Sequence, residues 1–326
     1  MVKAIRVHQT GGPEVLKYED VDIPAPGAGE IQIRQHAIGV NFLDVYFRTG
    51  AYPTPLPYTP GNEGAGEVVA IGKGVKDFKV GDRVAYSGTL GGYAEVRNLP
   101  AALGVKLPKN VSYETAAGLM LKGLTAQYLL KRTQPQGGLH PGDFILFHAA
   151  AGGVGLIACQ WAKVLGLQLI GTAGSDEKCA LAKELGAAHV INYNKEDFLP
   201  RVKEITGGKG VKVVYDSVGK DTWDRSLDCL RPFGLMASFG NSSGPPAPFA
   251  PGILGVKGSL YVTRQVLFTH IATREVNQQM ADDLFDVVGS GKVKIRIDQR
   301  FPLANAREAH VALEARKTTG STILQP

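Results

Sequence analysis

Asp143-Phe-Ile-Leu-Phe-His148, followed by Ala149-Ala-Ala-Gly-Gly-Val-Gly155, decides how the chain is read. Phe144 to Phe147 form the short apolar run of a buried strand. Beyond the glycines, Val154, Ile157, Ala158, Trp161 and Leu165 recur at helical spacing. Ala150-x-Gly152-x-x-Gly155 therefore places small residues at the three positions of a dinucleotide fingerprint. The first makes the tight turn, the second lets backbone approach a pyrophosphate, and the third lets helix pack close on strand. Backbone N–H groups and the positive end of the helix dipole can then hold phosphate without a basic side chain. The glycine pattern alone is weak; its place between a strand and an amphipathic helix makes it specific.

Working outward from this turn, strand and helix patterns alternate. Strands are predicted at Phe144–His148, Leu167–Thr172, His189–Asn192, Val211–Asp216, Leu235–Phe239 and Ser259–Val262. Gly186 and Gly207 stand where helices should end. The alternation predicts a doubly wound parallel sheet, a Rossmann arrangement. The residues before it read as β-rich, with strands at Lys3–Val7, Val15–Asp20, Glu30–Ala37, Glu67–Ile71, Arg83–Tyr86 and Tyr93–Val96. A short helix is expected at Asn41–Phe47, and Pro53, Pro55, Pro57 and Pro60 make Ala51–Pro60 a stiff loop. Ser112 opens a helical region that ends near Leu130. After residue 264 come a helix (Arg274–Val288), a strand (Lys294–Ile297) and a last helix (Ala304–Ala315), expected to return to the β-rich domain.

Composition narrows the function classes. With 326 residues there is enough chain for two cored domains. No apolar run is long enough to span a bilayer, and Met1-Val-Lys-Ala starts no signal-peptide core, so no membrane partner and a cytoplasmic location are expected. Cys159, Cys179 and Cys229 lack metal or disulfide spacing, which suits a reducing compartment. The net charge of +6 is spread along the chain without a basic stripe. It suits an anionic cofactor better than nucleic acid, which is not expected as a partner.

Asn41-Phe-Leu-Asp44, Gly61-Asn-Glu-Gly-Ala-Gly66, Gly81-Asp-Arg-Val84, Ala149–Gly155, Tyr215-Asp-Ser-Val-Gly219, Phe239-Gly-Asn-Ser-Ser-Gly244 and Tyr261-Val-Thr-Arg264 together carry a resemblance. From end to end the chain resembles the medium-chain dehydrogenase/reductase superfamily, and within it the zinc-free NADPH:quinone oxidoreductases related to zeta-crystallin. The resemblance implies an α/β fold in two parts. A GroES-like β-rich catalytic domain spans residues 1–122 and 265–326, and an NADP-binding Rossmann domain spans residues 123–264. Similar zinc alcohol dehydrogenases carry a cysteine where this chain has Asn41 and a histidine where it has Asn62. Asparagine is a poor zinc ligand, and no cysteine precedes residue 159, so no metal is expected. Glu63 remains, readable as a structural hydrogen-bonding carboxylate or as a catalytic one.

The second predicted strand ends in Gly-Thr-Ala-Gly174-Ser175, without the acid that an NAD enzyme places on the ribose 2′-hydroxyl. Asp176 lies at nearly the right distance but reads as a helix-capping carboxylate. Ser175, Lys178 and Tyr193 can supply the hydroxyls and cation that a 2′-phosphate requires. By the resemblance, Gly174, Ser175, Lys178 and Tyr193 form that pocket, so the cofactor is NADPH, with no zinc and no flavin. The resemblance also places Asn41, Phe42, Asp44, Tyr46 and Tyr128 against the cofactor. It adds Ala151, Gly152, Gly153 and Val154 at the pyrophosphate, then Ser217 and Val218. Phe239, Gly240, Asn241, Ser242, Ser243 and Gly244, then Arg264, Val266 and Arg316, complete the expected contacts. Asn41, Tyr46 and Tyr52 are the candidate catalytic residues, the tyrosines as proton donors or orienting groups.

The implied activity is transfer of electrons from bound nicotinamide to a small-molecule quinone in an interdomain cleft. A zinc-free NADPH-dependent enone or alkenal reductase is the alternative on the same fold, and a non-enzymatic crystallin-like NADPH- or RNA-binding protein a further one. Ser259-Leu-Tyr-Val262 reads as an apolar edge strand of the cofactor domain, and an exposed apolar edge calls for cover. A homodimer joined edge to edge is expected.

Overall fold

Two sheets organise the chain, one in each of two units. The computed structural model describes every residue from Met1 to Pro326. The first unit comprises Met1–Leu124, His270–Gly289 and Ile295–Pro326, and the second Thr125–Thr269 and Ser290–Lys294. In chain order the elements begin with β1 (Val2–Val7), β2 (Leu16–Val21), β3 (Glu30–Val40), α1 (Phe42–Thr49) and β4 (Glu63–Ile71). There follow β5 (Arg83–Ser87), β6 (Val96–Pro100), β7 (Gly104–Lys106) and α2 (Tyr113–Gln127), which continues as a wider turn through Tyr128–Arg132. Then strand and helix alternate: β8 (Phe144–Phe147), α3 (Gly153–Val164), β9 (Gln168–Ala173), α4 (Asp176–Glu184), β10 (His189–Asn192), α5 (Phe198–Ile205), β11 (Val211–Asp216), α6 (Trp223–Cys229) and β12 (Leu230–Ser238). The last elements are α7 (Gly252–Val256), β13 (Tyr261–Arg264), α8 (Leu267–His270), α9 (Arg274–Gly289), β14 (Ile297–Pro302), α10 (Ala306–Glu314) and β15 (Ser321–Gln325).

In the first unit seven strands run β14-β15-β3-β4-β5-β7, with β6 also on β3, while β1 and β2 form a separate antiparallel ribbon. β3 carries the unit, because it pairs with β15, β4 and β6 and buries Ile31, Ile33, Ala37, Ile38 and Val40. The polar–apolar alternation that marks its start gives way to burial on both faces from Ala37 on, so the strand continues to Val40, past its predicted end. Gly39 shows why that end carries no side chain. A Cβ there would lie 2.2 Å from both the Ala117 carbonyl and a Glu63 carboxylate oxygen.

In the second unit six strands, all parallel, run β10-β9-β8-β11-β12-β13. The third, second, first, fourth, fifth and sixth strands in sequence thus lie side by side, the doubly wound Rossmann order. Leu146, Ile170, Ile191, Val214 and Met236 form one apolar layer with Trp223, Leu227 and Phe198 from the covering helices. Gly186 and Gly207 follow α4 and α5 at φ 111° and 58°, as helix-ending glycines do.

Several boundaries differ from the sequence reading. The strand expected at Tyr93–Val96 begins only at Val96, because Tyr93 turns its ring into a polar interior and bonds main chain to Ile5 and Pro60. Glu63 to Gly66, obscured by glycines, already belongs to β4, and the short β7 and the C-terminal β15 carried no pattern of their own. The edge strand is Tyr261–Arg264 rather than Ser259–Val262. Ser259 adopts φ 56° and Leu260 bonds back to Leu254, so both belong to the turn that feeds the strand. Likewise the tail strand is Ile297–Pro302, later than Lys294–Ile297.

Candidate functional site

In the second unit the chain leaves β8 through His148 and turns at Ala149, whose φ is 54°. The tight turn is thus made one residue before Ala150, the position the fingerprint suggested. Gly152 caps α3 without any side-chain hydrogen bond, which leaves the first-turn N–H groups as phosphate donors. Gly155 meets the expectation of close packing. A Cβ there would stand 2.5 Å from the Ala149 carbonyl oxygen and 2.6 Å from Ala150 backbone atoms.

At the end of β9, Ser175 caps α4 and accepts the Lys178 N–H at 3.3 Å. Tyr193 lies against Gly174 so closely that a Cβ on the glycine would stand 2.6 Å from its hydroxyl. Gly174, Ser175, Lys178 and Tyr193 are therefore neighbours. Asp176 is engaged elsewhere: Lys195 donates to one oxygen and Asn192 to the other at 2.8 Å, and both contacts hold its carboxyl below the usual range.

The turn after β11 is built by Asp216, which is fully buried. One carboxylate oxygen accepts the Val218 and Gly219 N–H groups at 2.7 and 3.0 Å, and the other accepts the Thr222 hydroxyl at 2.7 Å. The Phe239–Gly244 loop hangs on this turn, with Ser242 N–H on the Ser217 carbonyl at 3.0 Å and Ser243 N–H on the Val218 carbonyl at 2.9 Å. The Ser243 hydroxyl also donates to the Val218 carbonyl at 2.8 Å, so it braces the loop. Phe239 packs on Phe147 at 5.6 Å between ring centres. Arg264 donates to Ser238 Oγ at 2.8 Å, the Gly240 carbonyl at 3.0 Å and Asn241 Oδ1 at 3.2 Å, a clamp on this loop. Val266 is exposed, and Tyr128, 2% exposed, has its hydroxyl pushed up by burial.

The first unit holds the remaining candidates around a buried polar cluster. Asn41 precedes α1, and the Asp44 carboxylate reaches back to its N–H at 2.9 Å, one half of a capping box. Asn41 Nδ2 donates to Glu63 Oε1 at 2.8 Å. Glu63 has no exposed surface; Lys122 Nζ donates to Oε1 at 2.8 Å and the Leu121 N–H to Oε2 at 2.6 Å. Asp44, equally buried, also accepts from Asn62 Nδ2 at 2.8 Å and from the Tyr93 hydroxyl at 3.0 Å. Burial raises the Asp44 carboxyl to about 6, against the lowering effect of these three donors. Beyond Tyr93 stand His310 on α10, then Arg48, which forms a bidentate pair with Glu314 at 2.9 and 2.7 Å. Phe42, Tyr46 and Tyr52 form an aromatic group outside the cluster, with Tyr46 5.5 Å from Phe42 and 5.2 Å from Tyr52. Arg316 lies in this unit, just after α10, with φ 56° and its N–H on the Leu313 carbonyl at 3.1 Å. Its backbone ends the helix.

Lys122, Tyr93, His310, Arg48 and Glu314 were not singled out in the sequence. Only Lys122 left a signal, as a lone cation inside the apolar run Ala116–Leu130. His310 and Arg48 read as ordinary helix residues.

The two buried groups give opposite pH responses. Burial holds His310 neutral, lowering its folded-state value from 6.5 to about 3. Its contribution is present above pH 6.5 and is lost as pH falls, because the unfolded chain takes up the proton first. The Asp44 value is raised, so its contribution is present at low pH and lost as pH rises through about 6. Replacing His310 by Gln keeps one acceptor and one donor and removes the titration. In urea unfolding the variant should gain on the unaltered protein by about 1.4 kcal/mol for each pH unit below His310's usual value, down to its folded-state one. A pH-independent difference would refute a neutral buried His310.

Known proteins resemble the chain along its whole length. The family described as "Alcohol dehydrogenase GroES-like domain" matches residues 27–109, and "Zinc-binding dehydrogenase" matches residues 153–284. A quinone oxidoreductase of Pseudomonas aeruginosa is 55% identical over 328 residues, all of both chains. The crystal structure of Escherichia coli quinone oxidoreductase complexed with NADPH superposes with a TM-score of 0.97 at 51% identity, over 99% of this chain and 100% of that one. A 2-haloacrylate reductase of a Burkholderia species is 45% identical over 335 residues, covering 100% of this chain and 99% of its own. The chain belongs to the quinone oxidoreductase family of the medium-chain dehydrogenase/reductase superfamily.

Proposed function

We propose that the protein is an NADPH:quinone oxidoreductase that works without zinc. The observation that carries the cofactor choice is the end of β9. Gly174, Ser175, Lys178 and Tyr193 stand together there; of the two acids in the first turn of α4, Asp176 is tied to Lys195 and Asn192 and Glu177 lies against the Ser175 hydroxyl. A 2′-phosphate suits such a pocket, and a ribose diol lacks its usual carboxylate acceptor. The E. coli relative solved with NADPH supports the same reading.

When bound, the dihydronicotinamide supplies the electrons. Gly152, Gly153 and Val154, with Ala151 before them, would receive the pyrophosphate on backbone N–H groups. Asn41 would meet the nicotinamide ribose, with Phe42 and Tyr46 beside it, and Asp44, which has no exposed surface, would hold that turn from behind. The Ser217–Val218 turn, the Phe239–Gly244 loop and Tyr128 would bound the nicotinamide. Arg264 would act by fixing that loop, Val266 by apolar contact and Arg316 through its guanidinium. Tyr46 and Tyr52 would orient the acceptor or pass it a proton. Zinc has no set of ligands here: the Asn41 amide serves Glu63, the Asn62 amide serves Asp44, and Lys122 supplies the cation beside Glu63. The Burkholderia relative favours a second reading, reduction of an activated carbon–carbon double bond on the same site. The exposed edge of β13, bearing Tyr261 at 46% exposure, supports a two-fold dimer, and the three free cysteines suit a cytoplasmic protein.

Steady-state kinetics with NADPH and NADH against quinones and enones tests the reading. Quinones should be the better acceptors; activity confined to enones or haloacrylates selects the second reading. Lys178→Ala should weaken NADPH by on the order of 1.5–3 kcal/mol, one charge-assisted hydrogen bond, and leave NADH almost unchanged. Equal loss for both would assign Lys178 to the fold.

Elemental analysis of the purified protein should find no stoichiometric zinc, and turnover should persist in EDTA. One tightly held zinc per chain would reopen the alcohol dehydrogenase reading. Sedimentation of the same preparation should give a dimer mass, and a monomer at micromolar concentration rules out the edge-to-edge arrangement.

A further inference from the structure

Asp44 is where separate pieces of the first unit meet. Tyr93 reaches it from ahead of β6, Asn62 from the start of β4, and the Asn41 N–H from ahead of its own helix. Behind Tyr93, His310 on α10 and Arg48 on α1 continue the series to Glu314, 33% exposed at its side chain.

The hydrogens in this series can be assigned from the donor inventory. A guanidinium only donates, so Arg48 Nη1 at 3.1 Å obliges His310 Nδ1 to accept. The proton of the neutral ring then sits on Nε2 and donates to the Tyr93 oxygen at 3.0 Å. That leaves the Tyr93 proton to point at Asp44 Oδ2, also at 3.0 Å. Every bond runs one way, toward the carboxylate. The series starts on a guanidinium, which does not give up its proton. Such a chain cannot conduct protons from solvent; it can only orient.

We propose that Tyr93 and His310 are positioning residues of the reaction, holding the Asn41–Asp44 turn through Asp44 in the geometry that receives the nicotinamide ribose. This rests on the reading of that turn as a cofactor contact. Asp44 as a carboxylate accepts from three donors. Protonated, it must itself donate, and both its oxygens face donors, Asn62 Nδ2 at one and the Asn41 N–H with the Tyr93 hydroxyl at the other. Acid therefore breaks the arrangement at Asp44. The other charged or titratable groups around it are Glu63 on β4 with its partner Lys122 on α2, Tyr58 on the proline-rich loop, and Arg48, His310 and Glu314.

Turnover and NADPH binding would be measured across pH for the unaltered protein and for Tyr93→Phe, His310→Gln, His310→Leu and Asp44→Asn. The unaltered protein should lose kcat below about pH 6, where Asp44 takes up a proton. Tyr93→Phe removes one donor, so this acid limb should move up by about one pH unit. Its kcat at pH 7.5 should fall about tenfold while KM for the quinone changes little. His310→Leu leaves the Tyr93 hydroxyl in place but no longer oriented from behind, so its limb should move in the same direction by less. His310→Gln, which still accepts from Arg48 and donates to Tyr93, should keep the original limb, and Asp44→Asn should lose the limb. Equal impairment of the two His310 variants, or an unmoved limb in both Tyr93→Phe and His310→Leu, overturns the proposal. Should Tyr93→Phe fail to fold, the His310 pair decides. Infrared titration of the Asp44 carboxyl, identified by its absence in Asp44→Asn, reads the coupling without turnover. A band that moves in Tyr93→Phe and His310→Leu supports the coupling, and absent turnover with a moving band overturns only the quinone reductase reading. A band that does not move overturns the proposal.

Discussion

Glu63 is a carboxylate with no exposed surface, and the site in the first unit is built on satisfying it. An unpaired charge so buried would cost several kcal/mol. Asn41, Lys122 and the Leu121 backbone N–H remove that penalty with three hydrogen bonds. Each donor comes from a different place: the residue before α1, the α2 side chain and the α2 backbone. Glu63 thus fixes the end of β3, the start of α1 and the middle of α2 relative to one another. Gly39 follows from the same constraint, since only a residue without a side chain leaves room for the carboxylate and the Ala117 carbonyl.

Lys122 gives this cluster its chemical character. A buried carboxylate needs a positive partner, and here the cation is an ammonium carried by the chain. The asparagines at positions 41 and 62 can then act as neutral amides that join two carboxylates, Glu63 and Asp44, into one network. The network contains two ionisable groups shifted in opposite physical senses by the same cause. Burial disfavours charge, so Asp44 is raised and His310 is lowered.

The second unit solves its problem with backbone rather than charge. Ala149 in the left-handed region, Gly152 at the cap and Gly155 against the strand leave the first turn of α3 presenting N–H groups. Asp216 does similar work at the next turn. By accepting from Val218, Gly219 and Thr222 it shapes the segment on which the Phe239–Gly244 loop hangs. Arg264 holds the same loop from the edge strand, so its guanidinium is largely committed to protein oxygens.

Local pattern alone determined the Rossmann architecture, because a four-residue apolar run, a glycine turn and a helical stripe are each read within a few residues. It also determined the lack of an acid at the end of β9, which depends on near neighbours; the cap of α4 is Ser175, and Asp176, read as the capping carboxylate, is turned to Lys195 and Asn192 instead. Tertiary structure decided what no local pattern holds. β15 closes onto β3, Lys122 meets Glu63 across 59 positions, and His310 meets Arg48 across 262. The physical reason is the same each time. Whether a histidine on an amphipathic helix is a surface group or a neutral buried one depends on what desolvates it and which donor points at it. Both are supplied by strands and helices far away in the chain.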